Sequence, residues 1–159
     1  MTTRTGIGFD VHPLTLGRPF VLGGITVPHE KGLAGHSDGD VLLHAIIDAV
    51  LGGARQGDIG RHFPSSDQRY KGIASTVMLQ KAIELATTAG WKTTYVDATI
   101  VAERPRLAPV LDRIATAVAA SMGLRPDEIN LKAKTTDGLG FIGRGEGVAA
   151  MAVATLERI

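Results

Sequence analysis

The chain has 159 residues, 44% of them hydrophobic and 21% charged, which is typical of a folded globular domain. Its formal net charge of +1 excludes the strongly basic surface that nucleic acids and anionic membranes attract. It contains no cysteine, so disulfides and thiolate metal sites are excluded and any metal must be held by histidine and carboxylates.

Neither a membrane span nor a targeting segment is evident. No apolar run reaches the roughly 18 residues that a spanning helix needs. The N-terminal sequence Met-Thr-Thr-Arg-Thr lacks the apolar core of a secretory signal. No low-complexity linker divides the chain. We therefore expect a single domain over residues 1–159, cytoplasmic, with neither nucleic acid nor membrane as a partner.

The first half of the chain predicts a strand, a hairpin and a helix. Residues 4–12 read as a strand. Residues 20–27 contain two β-prone runs around a glycine pair, which is typical of a hairpin. A helix is expected to begin near Ser37-Asp38, which can cap it. Apolar residues at helical spacing continue this helix to Gly52-Gly53.

The second half predicts two helices and three strands. They are a helix over residues 75–89, a strand over 93–102, a helix beginning at Pro105 and reaching Val118, and strands over 129–134 and 148–156. Interleaved strands and helices predict an α/β or α+β fold. Small apolar residues fill the last strand, and one domain of this size would struggle to cover a sheet on both faces. Burial against sister subunits is the expected solution.

Two segments could supply metal ligands. Residues two apart in a strand point to the same face, so Asp10 and His12 can present an oxygen and a nitrogen together. Asp40, His44 and Asp48 recur at four-residue spacing along the predicted helix. Asp10, His12 and His44 would give zinc three ligands and leave one tetrahedral position open, with Asp40 or Asp48 orienting His44. The alternatives to a metal site are that Asp10 and His12 stand together by accident, and that Asp40, His44 and Asp48 form a solvated face of the helix.

Five short segments closely resemble one enzyme family. They are Gly-Phe-Asp-Val-His at 8–12, Gly-His-Ser-Asp-Gly-Asp-Val-Leu-Leu-His-Ala at 35–45, Gly-Asp-Ile-Gly at 57–60, Gly-Leu-Gly-Phe at 138–141 and Gly-Arg-Gly-Glu-Gly at 143–147. Their order and separations resemble the 2-C-methyl-D-erythritol 2,4-cyclodiphosphate synthases of non-mevalonate isoprenoid synthesis, and the likeness extends over essentially the whole chain.

The resemblance implies a mixed β-sheet flanked by helices on one face, with the sheets of three copies packed around a three-fold axis. Active sites would lie between subunits of this homotrimer. The enzyme would be a phosphorus-oxygen lyase acting on a cytidine diphosphate substrate, 4-diphosphocytidyl-2-C-methyl-D-erythritol 2-phosphate. The substrate's 2-phosphate would attack its β-phosphate, giving the cyclic diphosphate and CMP. The implied cofactors are one Zn²⁺ per subunit and Mg²⁺ or Mn²⁺ with the substrate.

The same resemblance assigns roles to individual residues. Zinc is expected on Asp10, His12 and His44, and a second cation on Asp137. Catalytic roles fall to His36 and Thr135. Substrate contacts are expected from Asp10, His12, His36, Ser37, Asp58, Ile59, Gly60, Phe63, Asp67, Ala102, Pro105, Arg106, Leu107, Ala108, Lys134, Thr135, Thr136, Asp137, Phe141 and Arg144. Asp58 and Gly60 match the ribose-binding positions, and residues 102–108 match the loop that receives cytosine.

Two residues depart from the family pattern, and one motif is misleading. Asp137 stands where the family often has glutamate, and Ser65 where some members have aspartate. The sequence G-x-G-x-x-G at residues 138–143 would suggest a dinucleotide site, but a strand rather than a helix is predicted to follow it. Arg144 is expected to pair with Glu146. In the family the matching arginine faces an axial cavity, so an isoprenoid diphosphate there is a further expectation.

Two other functions remain open at this stage. A zinc phosphohydrolase would use the same ligands to activate water and would release a linear product. A non-catalytic trimeric module would bind nucleotides or isoprenoid diphosphates without turning them over. We expect the cyclase.

Overall fold

Residues 1–159 are described by a computed structural model. The strands are β1 (Thr3–Leu16), β2 (Phe20–Leu22), β3 (Ile25–Val27), β4 (Lys31–Leu33), β5 (Trp91–Val101), β6 (Ile129–Lys134) and β7 (Gly147–Arg158). The helices are α1 (Val41–Gly53), α2 (Ile59–His62), α3 (Ser75–Thr88), α4 (Leu111–Met122) and α5 (Gly140–Gly143). None of the helices is long and apolar enough to cross a membrane.

The main sheet has five strands in the order β4-β1-β7-β5-β6. Strands β5 and β6 run parallel, whereas the other neighbours are antiparallel, so the sheet is mixed as expected. Strands β2 and β3 form the predicted hairpin as a separate two-stranded sheet. Helices α1, α3 and α4 pack on the sheet and bury their apolar sides in a common core.

Helix α1 lies directly against β1 and β7 because two glycines of β1 allow a close approach. A Cβ atom on Gly8 would lie 1.8 Å from the carbonyl oxygen of Ala45, and one on Gly6 would lie 1.9 Å from that of Ala49. Only a residue without a side chain fits at either position. This contact brings the side chain of His44 on α1 towards the ligand pair on β1.

The opposite face of the main sheet has no helix over it. Alternate residues of β1 and β7 leave large apolar side chains exposed there: Ile7 at 73%, Phe9 at 57%, Met151 at 47% and Val153 at 39% of their full area. The prediction of helices on one face is therefore confirmed.

Most predicted elements are confirmed, with two errors at helix starts. Helix α1 begins at Val41 rather than near Ser37, because the side chain of Asp40 accepts the free amide of Leu43 and caps the helix. Helix α4 begins at Leu111 after a short 3-10 turn, so Pro105 does not start it. The peptide bond before Pro105 is cis, and the proline lies in a loop. Strand β4 and the four-residue helices α2 and α5 were not predicted.

Candidate functional site

The structure brings the three predicted zinc ligands together. Strand β1 supplies Asp10 and His12, and helix α1 supplies His44. Asp10 Oδ2 lies 2.8 Å from His12 Nε2 and 3.0 Å from His44 Nδ1. The two imidazole nitrogens are 2.9 Å apart. These three atoms form a compact triangle that could hold a metal ion.

The hydrogen-bonding partners show that the triangle needs a cation. His12 Nδ1 lies 2.7 Å from the carbonyl oxygen of Ala34, and a carbonyl can only accept, so Nδ1 carries a hydrogen. In neutral His12 the lone pair is then on Nε2, and it faces the acceptor oxygen of Asp10. Two acceptors at this distance repel each other unless a proton or a metal ion lies between them. Two imidazoles and one carboxylate fit the nitrogen and oxygen preference of zinc.

Electrostatics keep this carboxylate ionised. Burial disfavours a charge on Asp10, but the neighbouring imidazoles of His12 and His44 outweigh it and hold the pKa of Asp10 well below its ordinary value. Burial also opposes protonation of His12, but the Asp10 carboxylate outweighs it and raises the pKa of His12. In the metal-free protein, Asp10 therefore favours a proton on His12 at the place of the cation. Metal binding must displace it.

A cavity of about 260 Å³ opens beside the three ligands. Five further predicted substrate residues line it: His36, Ser37, Ile59, Gly60 and Phe63. Ser65, the departure from the family pattern, lines it as well, together with Tyr70, Ile73 and Met78, which were not predicted. Tyr70 lies in a 3-10 turn with no periodic pattern, so no signal in the sequence marked it.

Arg18 holds the loop that carries His36 and Ser37, and the sequence analysis missed it. Its guanidinium donates to the carbonyl oxygens of Leu33, Gly35 and Ser37 at 3.1, 3.4 and 3.0 Å. Because one acceptor ends β4 and the other two lie in the loop that follows it, the planar fork fixes the start of that loop against the strand. His36 Nε2 lies 3.0 Å from the carbonyl oxygen of Asp67.

A second, larger cavity of about 570 Å³ lies where β5 and β6 end. It is lined by His29, Ala102, Glu103, Arg104, Pro105, Arg106, Leu107, Ala108, Ala133, Lys134 and Thr135. The predicted cytosine loop and the predicted substrate residues Lys134 and Thr135 therefore share one site. His29 lies in a loop and lines this cavity, although it was not among the predicted site residues. The two cavities have no lining residue in common.

Several predicted substrate residues lie outside both cavities. Asp58 caps helix α2 by accepting the amide of Arg61 at 2.9 Å, and the carboxylate of Asp67 pairs with Arg69. Phe141 is half exposed on α5.

Three further predicted residues also lie outside both cavities. The hydroxyl of Thr136 donates to the carbonyl oxygen of Leu139 at 2.6 Å. Asp137 adopts a left-handed backbone conformation with φ of 53°, beside the hydroxyl of Thr135. Arg144 forms the expected ion pair with Glu146 at 3.0 Å.

The expectation that Asp40 or Asp48 orients His44 is wrong. The carboxylate of Asp40 turns towards the β2-β3 turn and accepts the amides of Gly23 and Gly24, besides capping α1. Asp48 accepts the amide of Ile59 at 2.7 Å. His44 Nε2 instead contacts two serine hydroxyls, which spacing on the helix could not reveal because both serines lie outside α1.

Comparisons with known proteins agree over the full chain. The YgbB family matches residues 3–157. The 2-C-methyl-D-erythritol 2,4-cyclodiphosphate synthase of Syntrophobacter fumaroxidans is 54% identical over 153 residues, covering 96% of each chain. The protein of the same name from Dechloromonas aromatica is 51% identical over 159 residues, covering 100% of this chain and 99% of its own.

Solved structures give the same result. A 2C-methyl-D-erythritol-2,4-cyclodiphosphate synthase in a CDP-bound form is similar with a TM-score of 0.89 and 37% identity, covering 97% of this chain and 100% of that one. The bifunctional IspDF of Campylobacter jejuni has a TM-score of 0.96 and 37% identity over 99% of this chain, which spans 43% of that protein. The chain belongs to the YgbB family, the family of the 2-C-methyl-D-erythritol 2,4-cyclodiphosphate synthases.

Proposed function

We propose that the chain cyclises 4-diphosphocytidyl-2-C-methyl-D-erythritol 2-phosphate to 2-C-methyl-D-erythritol 2,4-cyclodiphosphate. The 2-phosphate of the substrate attacks its own β-phosphate, and CMP leaves. The observation that carries the proposal is the triangle of Asp10, His12 and His44 in the wall of a cavity, in a chain that matches the synthases end to end. The protein needs no nucleophile of its own, since both reacting groups belong to the substrate. Its task is to align them and to neutralise charge.

The metal of this triangle is Zn²⁺, one per subunit. The ligand set has no thiolate and only one carboxylate, and its two imidazoles favour zinc over magnesium or calcium. When bound, the ion would supply Lewis-acid stabilisation of charge on a phosphate oxygen. Asp10 stays ionised for this purpose because its pKa is held low.

The cytidine part of the substrate occupies the larger cavity. Residues 102–108 surround that cavity with a loop that can recognise a base through its backbone groups. Lys134 carries a cation and Thr135 a hydroxyl donor on the same wall, which suits the diphosphate. Asp58 and the amide of Gly60 bind the ribose. Asp137 would bind the Mg²⁺ or Mn²⁺ that arrives with the substrate. A carboxylate and water can hold such a hard cation.

The active form is a homotrimer with composite active sites. The uncovered sheet face exposes Ile7, Phe9, Met151 and Val153 together, and burial against other copies removes them from water. The two cavities share no lining residue, so a substrate that needs both can bridge the metal cavity of one subunit and the larger cavity of its neighbour.

The proposed function is tested by phosphorus NMR of the purified protein with the substrate, Zn²⁺ and Mg²⁺. A cyclic diphosphate formed together with CMP supports the cyclase. CMP with a linear product would mean that water attacks instead, as in a phosphohydrolase. Binding without turnover by zinc-loaded protein would point to a binding module.

A pair of histidine variants provides the control. His44→Ala removes one zinc ligand, and we expect it to lose zinc and turnover together. His62→Ala removes a histidine whose Nε2 contacts only the carbonyl oxygen of Gln56 and which lines neither cavity. We expect this variant to keep both zinc and turnover. Equal zinc content in the two variants would contradict the assigned ligand set.

A further inference from the structure

The buried nitrogen of His44 has an unusual pair of partners. Its Nε2 atom, on the side away from the metal triangle, lies 2.8 Å from the hydroxyl oxygen of Ser75 and 3.0 Å from that of Ser37. All three side chains are buried. A hydroxyl can donate or accept, so these contacts by themselves leave open which of the two imidazole nitrogens carries the hydrogen.

Asp38 determines whether the Ser75 hydroxyl donates to His44 or accepts from it. One oxygen of its carboxylate lies 2.5 Å from the Ser75 hydroxyl, and the other accepts the Ser75 amide at 2.9 Å. The first oxygen also accepts the amide of Asp40. An ionised carboxylate can only accept, so the Ser75 hydroxyl must donate to it. The serine oxygen is then left to accept a hydrogen from His44 Nε2.

We propose that Asp38 and Ser75 are positioning residues that hold His44 in its Nε2–H tautomer and so direct the lone pair of Nδ1 at the metal. The hydrogen bonds run from His44 Nε2 to Ser75 and from Ser75 to Asp38. The hydroxyl interposed between imidazole and carboxylate does the work that a direct carboxylate partner does at other histidine-metal sites. Asp38 lies in the loop before α1, and Ser75 is the first residue of α3, so the pair also fixes the ring from two separate elements.

The tautomer can be measured directly in the metal-free protein. In a proton–nitrogen correlation spectrum of the imidazoles, the parent is expected to show hydrogen on Nε2 of His44. In Asp38→Asn, the amide NH₂ can donate to Ser75, whose hydroxyl is then free to donate to His44. We expect hydrogen on Nδ1 in that variant, and zinc affinity 10- to 100-fold below that of the parent, measured by competition with a chelator.

Two variants of Ser75 separate this role from simple packing. Ser75→Thr keeps the hydroxyl, and Ser75→Val replaces it with a methyl group of nearly the same volume. Any folding cost of the larger side chain is common to both. We expect Ser75→Thr to keep the Nε2–H signal and an affinity near that of the parent, and Ser75→Val to lose at least tenfold in affinity relative to Ser75→Thr.

The inference rests on the proposed zinc site, but it can fail while that site stands. If the parent binds zinc, and Ser75→Val matches Ser75→Thr in both tautomer and affinity, the positioning role is refuted. Retention of the Nε2–H tautomer in Asp38→Asn would also refute it, because the carboxylate would then not be setting the direction of the hydrogen bonds. Ser121→Ala, on α4, is the distant serine control. We expect it to change neither the tautomer of His44 nor the zinc affinity.

Discussion

Asp10 and Asp40 lie within one small region, and their surroundings shift their pKa values in opposite directions. Asp10 faces two imidazoles, which outweigh its burial and lower its pKa. Asp40 is fully buried and accepts hydrogen bonds only from backbone amides; burial, helped by the nearby Asp38 carboxylate, outweighs those amides and raises its pKa to about 6. The first carboxylate is suited to hold a cation. The second caps α1 and ties it to the hairpin.

The raised pKa of Asp40 predicts how stability depends on pH. The folded value of about 6 lies above the ordinary value of 3.8, so the folded state binds the proton more tightly than the unfolded state. The stabilising contribution is full below pH 3.8 and is lost as the pH rises through about 6. Asp40→Asn does not titrate. We expect the free energy of unfolding of the parent, relative to this variant, to fall by up to ~3 kcal/mol between pH 4 and 8.

Urea unfolding at several pH values measures this difference, and Asp97→Asn is the contrasting variant. Hydrogen bonds from Lys132 and Asn130 lower the pKa of Asp97, so its contribution is present above pH 3.8 and is lost as the pH falls. The free energy of unfolding of the parent, relative to each variant, should therefore fall with pH for Asp40→Asn and rise with pH for Asp97→Asn. A stabilisation by Asp40 that grows with pH would mean that its three amide donors outweigh its burial.

At the scale of elements, the contact between β1 and α1 builds the metal centre. Two ligands come from the strand and the third from the helix, so their separation depends on how closely the two elements pack. The glycines of β1 set that distance, since the helix backbone lies where their Cβ atoms would be. Residues with no functional group therefore determine whether the three ligand atoms meet.

Gly8→Ala tests this dependence. Its new Cβ would lie 1.8 Å from the carbonyl oxygen of Ala45, so α1 must move away from β1. We expect a loss of ~1–3 kcal/mol in the free energy of unfolding, typical of an overpacked core, and weaker zinc binding because His44 moves with the helix. Chemical denaturation and chelator competition measure the two effects.

Gly52→Ala is the matched control on the same pair of elements. A Cβ there meets only the carbonyl oxygen of Ile7, at 3.9 Å, which is ordinary contact. Replacing a helical glycine with alanine is expected to leave stability unchanged or to raise it by up to ~1 kcal/mol. Zinc affinity should stay at the parental value. Similar zinc affinities in the two variants would show that the strand-helix distance does not control the metal centre.

At the scale of the whole molecule, the main feature is the apolar sheet face, which no part of a single chain covers. A soluble monomer rarely exposes a continuous apolar surface of this kind. The face is formed by β1 and β7, and β1 also carries Asp10 and His12. Association through this face would therefore place the metal centre near the boundary between subunits.

Met151→Glu tests the association. In the proposed trimer this face is buried, and a charge in its middle carries a desolvation cost in each of the three copies, so we expect dissociation to monomers in sedimentation experiments. Turnover should fall sharply while each chain still binds zinc, since the ligands all belong to one chain. Val77→Glu is the control, because Val77 is also exposed, at 56%, but lies on α3 away from the sheet face. Loss of zinc binding in Met151→Glu would instead indicate a misfolded subunit.

The sequence by itself determined which residues could bind a metal and most of the elements that carry them. Alternation placed Asp10 and His12 on one side of a strand, and helical spacing placed His44 on an apolar helix. The hairpin and strand β6 followed from local patterns that need no tertiary contact. Short motifs in a fixed order were enough to identify the family.

Only the tertiary structure decided which groups act on those ligands. Four-residue spacing predicted that Asp40 and Asp48 lie on the same helix face as His44, yet Asp40 precedes α1 and both carboxylates bind backbone amides elsewhere. Ser75 reaches His44 from 31 positions along the chain, and Arg18 reaches the loop of Ser37 from 19. Periodicity reports which residues share a face of one element, whereas the proton on an imidazole depends on the donors and acceptors that other elements bring to it.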